Sequence, residues 1–319
     1  GVIAVKGGEV SPRDIERALD AAKAVAIPLD REVIHILPQE YIVDDQRGIA
    51  DPMGMAGVRL EVKVHIVTGA VTSAQNIVRS CHKSGLDVSD IVLESLASAK
   101  AVLTEEEREI GVALIDLGGG TCDIAIFAND SIKHTGVLAL GGQNLTNDIA
   151  FGLRTPMAAA EKIKIKHGAA IAEMVRPDEY IEVPSVGGRE PRRLSRQVLA
   201  EICEPRMEEI LTLLDQELVR SGLKNMIGAG VVLTGGTALI QGCQELGEQV
   251  FNLPTRIGYP RNVGGLKDMV NSPKFATAMG LLRFGAEKEG MEQKFRIRSD
   301  GNVFNSILSR MKKWFSEIS

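Results

Sequence analysis

The stretch ALIDLGGGTCDIAIF, residues 113–127, decides how the rest of the chain is read. An apolar run, Ala113 to Ile115, reaches Asp116, and Gly118, Gly119 and Gly120 follow. Thr121, Asp123 and a second apolar run, Ile124 to Phe127, complete the stretch. Two apolar runs around a glycine-containing turn predict a β-hairpin. One glycine, or Asn-Gly, is enough for a plain hairpin turn, so three glycines between an acid and a threonine exceed the need. Consecutive residues without Cβ let their amides converge on an anion, which is the composition of a phosphate nest. The alternative is a glycine-rich hairpin with a structural role alone.

The bulk properties set outer bounds. A chain of 319 residues is long enough for two domains with sizeable cores. Charged residues make up 25% and the net charge is −5, which gives no electrostatic case for nucleic acid. Cys81, Cys122, Cys203 and Cys243 are scattered without metal-ligand or redox spacing, and this points to a reducing, cytosolic compartment. No apolar run approaches a transmembrane length and no signal peptide is visible. The opening GVIAVKGGEV reads as a strand already in progress, so the chain is expected to begin within a longer protein.

Residues 1–72 read as a small α/β unit. A helix there is capped by Ser11, with Pro12 at its first position and Asp14 in its first turn. REVIHILPQEYIVD and VRLEVKVHIVTGA read as strands, the second alternating Val58, Leu60, Val62, Val64 and Ile66. Residues 73–108 then give a helix closing at Gly85, a strand DIVLES and a second helix. Residues 109–150 hold the hairpin, a further strand, a Gly-Gly turn and a helix. Prolines at 156, 177, 184 and 191 break up residues 151–228, and Pro205 is expected to kink or split the long helix of that region. Strand, glycine turn and helix recur over 229–270, a helix is expected within 271–286, and the polar stretch 287–302 reads as a linker.

Two more glycine turns match the first in placement. Gly141 and Gly142 precede a helix, and so do Gly235 and Gly236 after VVLT. A glycine turn feeding a helix N-terminus suits an anion or nucleotide, although each alone also fits an ordinary βα turn. Asp116 is placed to hold a water of hydrated Mg²⁺; Asp123 either does likewise or caps the hairpin. Glu94 either faces a ligand at a strand end or complements a helix dipole. Glu161 and Lys164 share a helix face, where they contact a ligand or pair with each other.

DLGGGTCDIAIF, LALGGQNLTNDIA, AEKIKIKHG and VVLTGGTALIQG, in this order, resemble the second-domain nucleotide motifs of the actin–Hsp70–sugar kinase superfamily. LPQEYIVDDQRGIADPMGMAGVRLEVKVHIVT, LASAKAVLTEEEREIGV and VPSVGGREPRRLSRQVLAEICEPR, together with the terminal amphipathic helix, resemble the FtsA family of bacterial cell-division proteins. The resemblance implies an α/β, actin-like (ribonuclease H-like) two-domain fold whose first large subdomain is incomplete, since residues 1–110 contain no counterpart of the family's first phosphate hairpin. It implies ATP and Mg²⁺ as cofactors. Gly118, Gly119, Gly120 and Thr121 would form the second phosphate loop, with Asp116 and Asp123 near the metal. Gly141 and Gly142 would approach phosphates and ribose, Glu161 and Lys164 would contact ribose and adenine, and Gly235 and Gly236 would form the adenosine loop. Glu94 matches the water-positioning acid of Hsp70-like members.

By the same resemblance, residues 1–72 correspond to a subdomain for self-assembly and late-division partners, 73–108 to part of the first large subdomain, and 109–150 with 229–270 to the nucleotide-binding one. Residues 151–228 would dock the tail of the tubulin-like protein FtsZ, with Arg206 and then Arg192 as contacts. For Arg206 the other reading is a surface ion pair with Glu209; for Arg192 it is a filament contact.

The end of the chain is legible from its own pattern. At about 100° per residue, Val303, Phe304, Ile307, Leu308, Met311, Trp314, Phe315 and Ile318 share one side of a helix, and Arg310, Lys312 and Lys313 lie on the other. A helix packed on its own core also shows such separation. Here a polar stretch precedes it, it holds the chain's only Trp, and its polar face is basic, which suits an anionic membrane surface. The expected protein is an actin-like ATP-binding scaffold, at most a slow ATPase, that polymerises on the inner face of the cytoplasmic membrane and tethers FtsZ at the septum. The rivals are a sugar-kinase-type phosphotransferase and a type IV pilus scaffold of the same superfamily.

Overall fold

A computed structural model describes residues 1–187, 189–262 and 270–299, with side chains described to residue 287. The strands, in chain order, are Val2–Ala4 (β1), Arg31–Val43 (β2), Gln46–Ile49 (β3), Arg59–Ala70 (β4), Val112–Leu117 (β5), Cys122–Ala128 (β6), Ser131–Leu138 (β7), Tyr180–Val183 (β8), Arg192–Ser195 (β9), Val231–Thr234 (β10) and Thr255–Ile257 (β11). The helices are Pro12–Lys23 (α1), Val71–Lys83 (α2), Glu94–Val102 (α3), Glu105–Ile110 (α4), Gly142–Gly152 (α5), Met157–His167 (α6), Arg196–Arg220 (α7), Cys243–Phe251 (α8) and Ala276–Ser299 (α9).

The first strands form an antiparallel sheet in the order β1-β4-β2-β3. Alternation along β4 sends Leu60 and Val62 into a core with Tyr41 and Val43 while Arg59 and Lys63 stay exposed. Helix α1 closes that core with Ala18 and Ala22. Its start follows from Ser11 and Asp14, whose side chains bond each other's backbone N–H at 3.3 and 3.2 Å.

The second sheet has the order β11-β10-β5-β6-β7, with β10 parallel to β5 and β11 and the hairpins antiparallel. Both β5 and β6 are buried along their whole length, because helices cover both faces of the sheet. Ala113, Ile115 and Leu117 face a layer that includes Leu145 of α5, Met207 of α7 and Phe251 of α8. Val112 and Leu114 point the other way, towards Ala99 and Val102 of α3 and Ala276 of α9. A two-residue period on a doubly covered sheet explains why these strands read as continuous apolar runs. Helices α3 and α9 approach so closely that a Cβ on Gly280 would stand 1.7 Å from the Ala97 carbonyl oxygen.

Three sequence expectations change. Ile91–Leu93 pairs with no strand among the described residues; Leu93 donates its N–H to His35 Nε2 at 3.0 Å, and Glu94 opens α3 instead of ending a strand. Pro205 does not divide its helix: α7 runs unbroken for 25 residues. An interior proline costs about 3 kcal/mol. Met207, Ile210, Leu211, Leu214 and Leu218, all buried beyond it, each contribute about 1.5–3 kcal/mol, so packing wins. Helix α9 also continues to Ser299, through most of the stretch read as a linker. Its helical part, 287–299, is polar, but apart from Gly290 it is rich in Glu, Lys, Arg, Gln and Met, which are good helix formers.

Candidate functional site

The three glycine turns meet at one place. The loop Gly118–Thr121 joins β5 to β6 and is closed by the Gly118 N–H donating to the Thr121 carbonyl at 3.0 Å. Helix α5 starts against it: the Gly142 and Gln143 N–H groups donate to the Gly118 and Gly119 carbonyls at 2.9 and 2.7 Å. From the third turn, Thr237 Oγ1 donates to the Gly118 carbonyl at 2.9 Å. Gly235 is left-handed, with φ +87°, and a Cβ there would fall 2.4 Å from Asp116 Oδ1.

This arrangement divides the glycines into two groups. A Cβ on Gly141 would lie 2.7 and 2.8 Å from the Gly119 and Gly118 carbonyl oxygens, and one on Gly142 would lie 2.4 Å from Thr237 Oγ1. These glycines, with Gly235, let three chain segments touch. At Gly119 and Gly120 a Cβ would meet nothing within 4 Å, and both residues are exposed. No backbone hydrogen bond engages the amides of Gly119 and Gly120 among the described residues. The N-terminus of α5 therefore anchors the loop, and the loop's own amides are what remains for an anion. Gly236 is followed by a single 3₁₀ turn, Thr237–Leu239, and α8 begins only at Cys243, so the third turn does not feed an α-helix directly as the sequence reading expected.

Asp116 and Asp123 are direct cross-strand partners, and both are buried. Asp116 Oδ2 accepts from Ser98 Oγ at 2.7 Å and from Thr277 Oγ1 at 3.4 Å. Burial pushes its carboxyl above the ordinary range, and the two hydroxyls only partly offset that. Asp123 is raised by burial and then by the Asp116 charge, while Thr121 Oγ1, 3.3 Å from its Oδ2, acts in the other direction. Glu94, at the first turn of α3, is raised by burial and by both aspartates, so the structure brings it into the acidic cluster. Like charges directly across a strand pair oppose each other, and a cation beside them relieves the conflict. Among the described residues no group of three or more His, Cys, Asp or Glu side chains is arranged to enclose a metal. The buried Asp116–Asp123 pair has the donor chemistry that Mg²⁺ takes from protein, one or two carboxylates with the remaining positions left to waters and phosphate oxygens.

Lys164 is buried under the start of α5. Its Nζ donates to the Gly142 carbonyl at 3.0 Å and to Thr146 Oγ1 at 2.9 Å, and it lies 2.7 Å from Glu161 Oε2. Burial alone would raise the Glu161 carboxyl, but hydrogen bonds from Lys164 and Thr146 outweigh it and hold it below the ordinary range. The pair thus forms as the simpler reading had it, and it also supports the glycine turn.

Arg206 is already engaged. Its Nε and Nη2 reach Asp148 of α5 at 2.5 and 3.2 Å, and Nη1 pairs with Glu209. Arg192 donates to the Leu153 carbonyl at the end of α5. The amphipathic segment 303–319, with Phe304, Ile307, Leu308, Arg310, Met311, Lys312, Lys313, Trp314 and Phe315, lies outside the described residues. Among the described residues no helix is long and apolar enough to cross a membrane. Ser98, Thr146, Thr237 and Thr277 were absent from the sequence reading. Only Thr237 had a signal, since it follows its glycines as Thr121 follows the first three.

Residues 113–280 match the family described as "Cell division protein FtsA", and residues 1–68 match the "SHS2 domain inserted in FTSA". The chain belongs to the FtsA family. It is 50% identical over 320 aligned positions to the cell division protein FtsA of Pseudomonas aeruginosa, covering 98% of this chain and 76% of that protein. Against FtsA of Escherichia coli K12 it is 41% identical, again over 98% of this chain and 76% of the relative. In fold it resembles MreB5 of Spiroplasma citri bound to ADP, with TM-score 0.56 and 21% identity over 70% of this chain and 68% of that one. A PilM–PilN type IV pilus biogenesis complex gives TM-score 0.58 at 16% identity over 89% and 76%. This member of the FtsA family is an actin-like cell-division protein; its likeness to a pilus protein is one of fold.

Proposed function

We propose that the chain binds ATP with hydrated Mg²⁺ at the Gly118–Thr121 loop and that the nucleotide acts as an assembly switch for filaments on the inner face of the cytoplasmic membrane. The observation that carries this reading is the division among the glycines. Gly141, Gly142 and Gly235 are used up in packing, while Gly119 and Gly120 keep exposed amides beside a buried pair of acids. Phosphate oxygens accept from those amides. Asp116, with its Oδ2 fixed by Ser98 and Thr277, and Asp123 would hold the waters of the metal, whose contribution would be to neutralise phosphate charge. Glu94 is placed to orient a water, and any hydrolysis is slow. The Glu161–Lys164 pair beneath the start of α5 is the proposed contact for ribose and adenine. The fold neighbour MreB5 has been solved with ADP and with AMPPNP, which supports an adenine nucleotide as the ligand.

Family membership supports further copies of the chain and FtsZ as partners; in this reading the FtsZ tail docks at residues 151–228 and anionic lipid is bound by residues 303–319. Residues 1–72 serve contacts with other division proteins. The test is co-sedimentation with anionic vesicles and FtsZ in the presence and absence of Mg-ATP. The reading expects FtsZ to pellet with vesicles only when this protein is present, and electron microscopy to show filaments that depend on ATP. Filaments of equal length without nucleotide, or FtsZ left in the supernatant, would count against it.

A further inference from the structure

Two side chains close on Gly142, the first residue of α5. A Cβ there would stand 3.2 Å from Lys164 Nζ and 2.4 Å from Thr237 Oγ1. They come from separate elements, Lys164 from the last turn of α6 and Thr237 from the 3₁₀ turn after Gly236. Away from the site, one residue ties these two elements together. Arg196 opens α7, and its side chain is only 15% exposed. Its Nε donates to the carbonyl of His167, the last residue of α6, at 2.8 Å. Its Nη2 donates to Gln241 Oε1, just beyond the Thr237 turn, and Nη1 is held by Glu179 Oε2 at 2.5 Å. The backbone repeats the link, since the Ala170 N–H donates to the Gln241 carbonyl at 2.7 Å. Each of the three guanidinium nitrogens is thus spent on a protein acceptor.

The last carbonyls of a helix have no intrahelical partner, and a cation beside them is favoured by the helix dipole. Arg196 therefore secures the turn that bears Lys164, and through Gln241 it holds the segment after Thr237 at a set distance from that turn. A guanidinium makes these bonds as a rigid planar fork, which a flexible ammonium does not. We propose that Arg196 is a positioning residue for the nucleotide site and sets the width of its ribose and adenine side. The proposal rests on the reading of the Glu161–Lys164 pair and the third glycine turn as nucleoside contacts. The phosphate side is anchored separately. The loop bearing Gly119 and Gly120 hangs on the N–H groups of Gly142 and Gln143, none of which Arg196 touches.

Calorimetric titration of the whole chain with Mg-ATP and, separately, with Mg-tripolyphosphate tests it, because the second ligand carries phosphates without a nucleoside. Arg196→Met keeps the aliphatic stem and removes the donors. It should raise the dissociation constant for Mg-ATP by about tenfold or more and change that for Mg-tripolyphosphate by less than about twofold. Arg196→Lys, which restores the charge without the fork, should fall between parent and Arg196→Met. Gln241 is exposed, so Gln241→Met should keep the parent melting temperature and show the same selectivity in smaller measure. Equal weakening of both ligands, or Mg-ATP affinity unchanged in Arg196→Met and Gln241→Met, would overturn the proposal and leave the nucleotide reading standing. A parent chain that binds neither ligand would overturn that reading, and the proposal with it.

Discussion

Replacing Gly119 by Val separates the ligand's needs from the fold's. A Cβ at Gly119 meets no atom within 4 Å, and the residue does not sit in the left-handed region, so the folded chain accepts the side chain at little cost. A bound phosphate does not, because the isopropyl group stands where oxygens must reach the Gly119 and Gly120 amides. Hydrogen bonds to charged groups contribute about 1.5–3 kcal/mol each. Losing two costs at least about 3 kcal/mol, or more than about 100-fold in affinity. Gly141→Ala is the opposite case, since its methyl would press on two backbone carbonyl oxygens at 2.7 and 2.8 Å. Overpacking of this kind costs about 1–3 kcal/mol and lowers the melting temperature by about 2–4 °C for each kcal/mol in a domain of this size. The assay is thermal unfolding with increasing Mg-ATP, where a ligand that binds the native state raises the midpoint. Gly119→Val should melt like the parent without nucleotide and fail to rise with it; Gly141→Ala should melt lower from the outset. A full nucleotide-dependent rise in Gly119→Val would refute the division of the glycines.

Asp116→Asn should melt about 1–3 °C above the parent at neutral pH without Mg²⁺, as it removes a like-charge cross-strand pair that costs about 0.2–1 kcal/mol, while losing the Mg²⁺ dependence of nucleotide binding. The carboxyls of Glu94, Asp116 and Asp123 titrate above their ordinary values in the fold, so the native state holds protons that the unfolded state releases. Their contribution to stability is therefore present at acid pH and lost as pH rises through the raised values; unfolding curves between pH 4 and 8 should slope less in Asp116→Asn. At Arg206 the engaged guanidinium leads to a paired test: Asp148→Asn should tighten binding of an acidic FtsZ tail peptide by freeing the fork, and Arg206→Glu should abolish binding and, with three acids then together, also lower the melting temperature. Unchanged peptide affinity in both variants would remove Arg206 from the interface. Trp314→Glu should sharply reduce sedimentation with anionic vesicles, and high salt should weaken the parent's binding by screening; an unaffected variant would mean the helix packs on protein instead.

Where the sequence was informative, the reason was local. The hairpin could be read from two apolar runs and three glycines, and α1 from Ser11, Pro12 and Asp14, because such patterns depend on neighbours in the chain. The DIVLES strand failed because a strand is defined by its partner, and Ile91–Leu93 has none among the described residues. The continuity of α7 through Pro205 depended on apolar residues whose burial only the assembled sheet provides. At the site, Ser98 and Thr277 lie 18 and 161 positions from the acid they hold, so no sequence spacing could have linked them to Asp116. The packing of Gly141 and Gly142 also needed the third dimension: a helix start suggests an anion ligand, and only the fold shows how closely both approach the first and third glycine turns.

The central claim is that the amides of Gly119 and Gly120 receive a nucleotide phosphate. Nuclear magnetic resonance of protein labelled with ¹⁵N at glycine tests it most directly, because shifts are readable even for weak binding. On addition of Mg-ATP, the Gly119 and Gly120 resonances should move and saturate, with smaller changes at Gly118 and Gly142, and in Asp116→Asn the shifts should be no larger with Mg²⁺ than without it. Saturating changes elsewhere in the chain, with Gly119 and Gly120 unmoved, would contradict it.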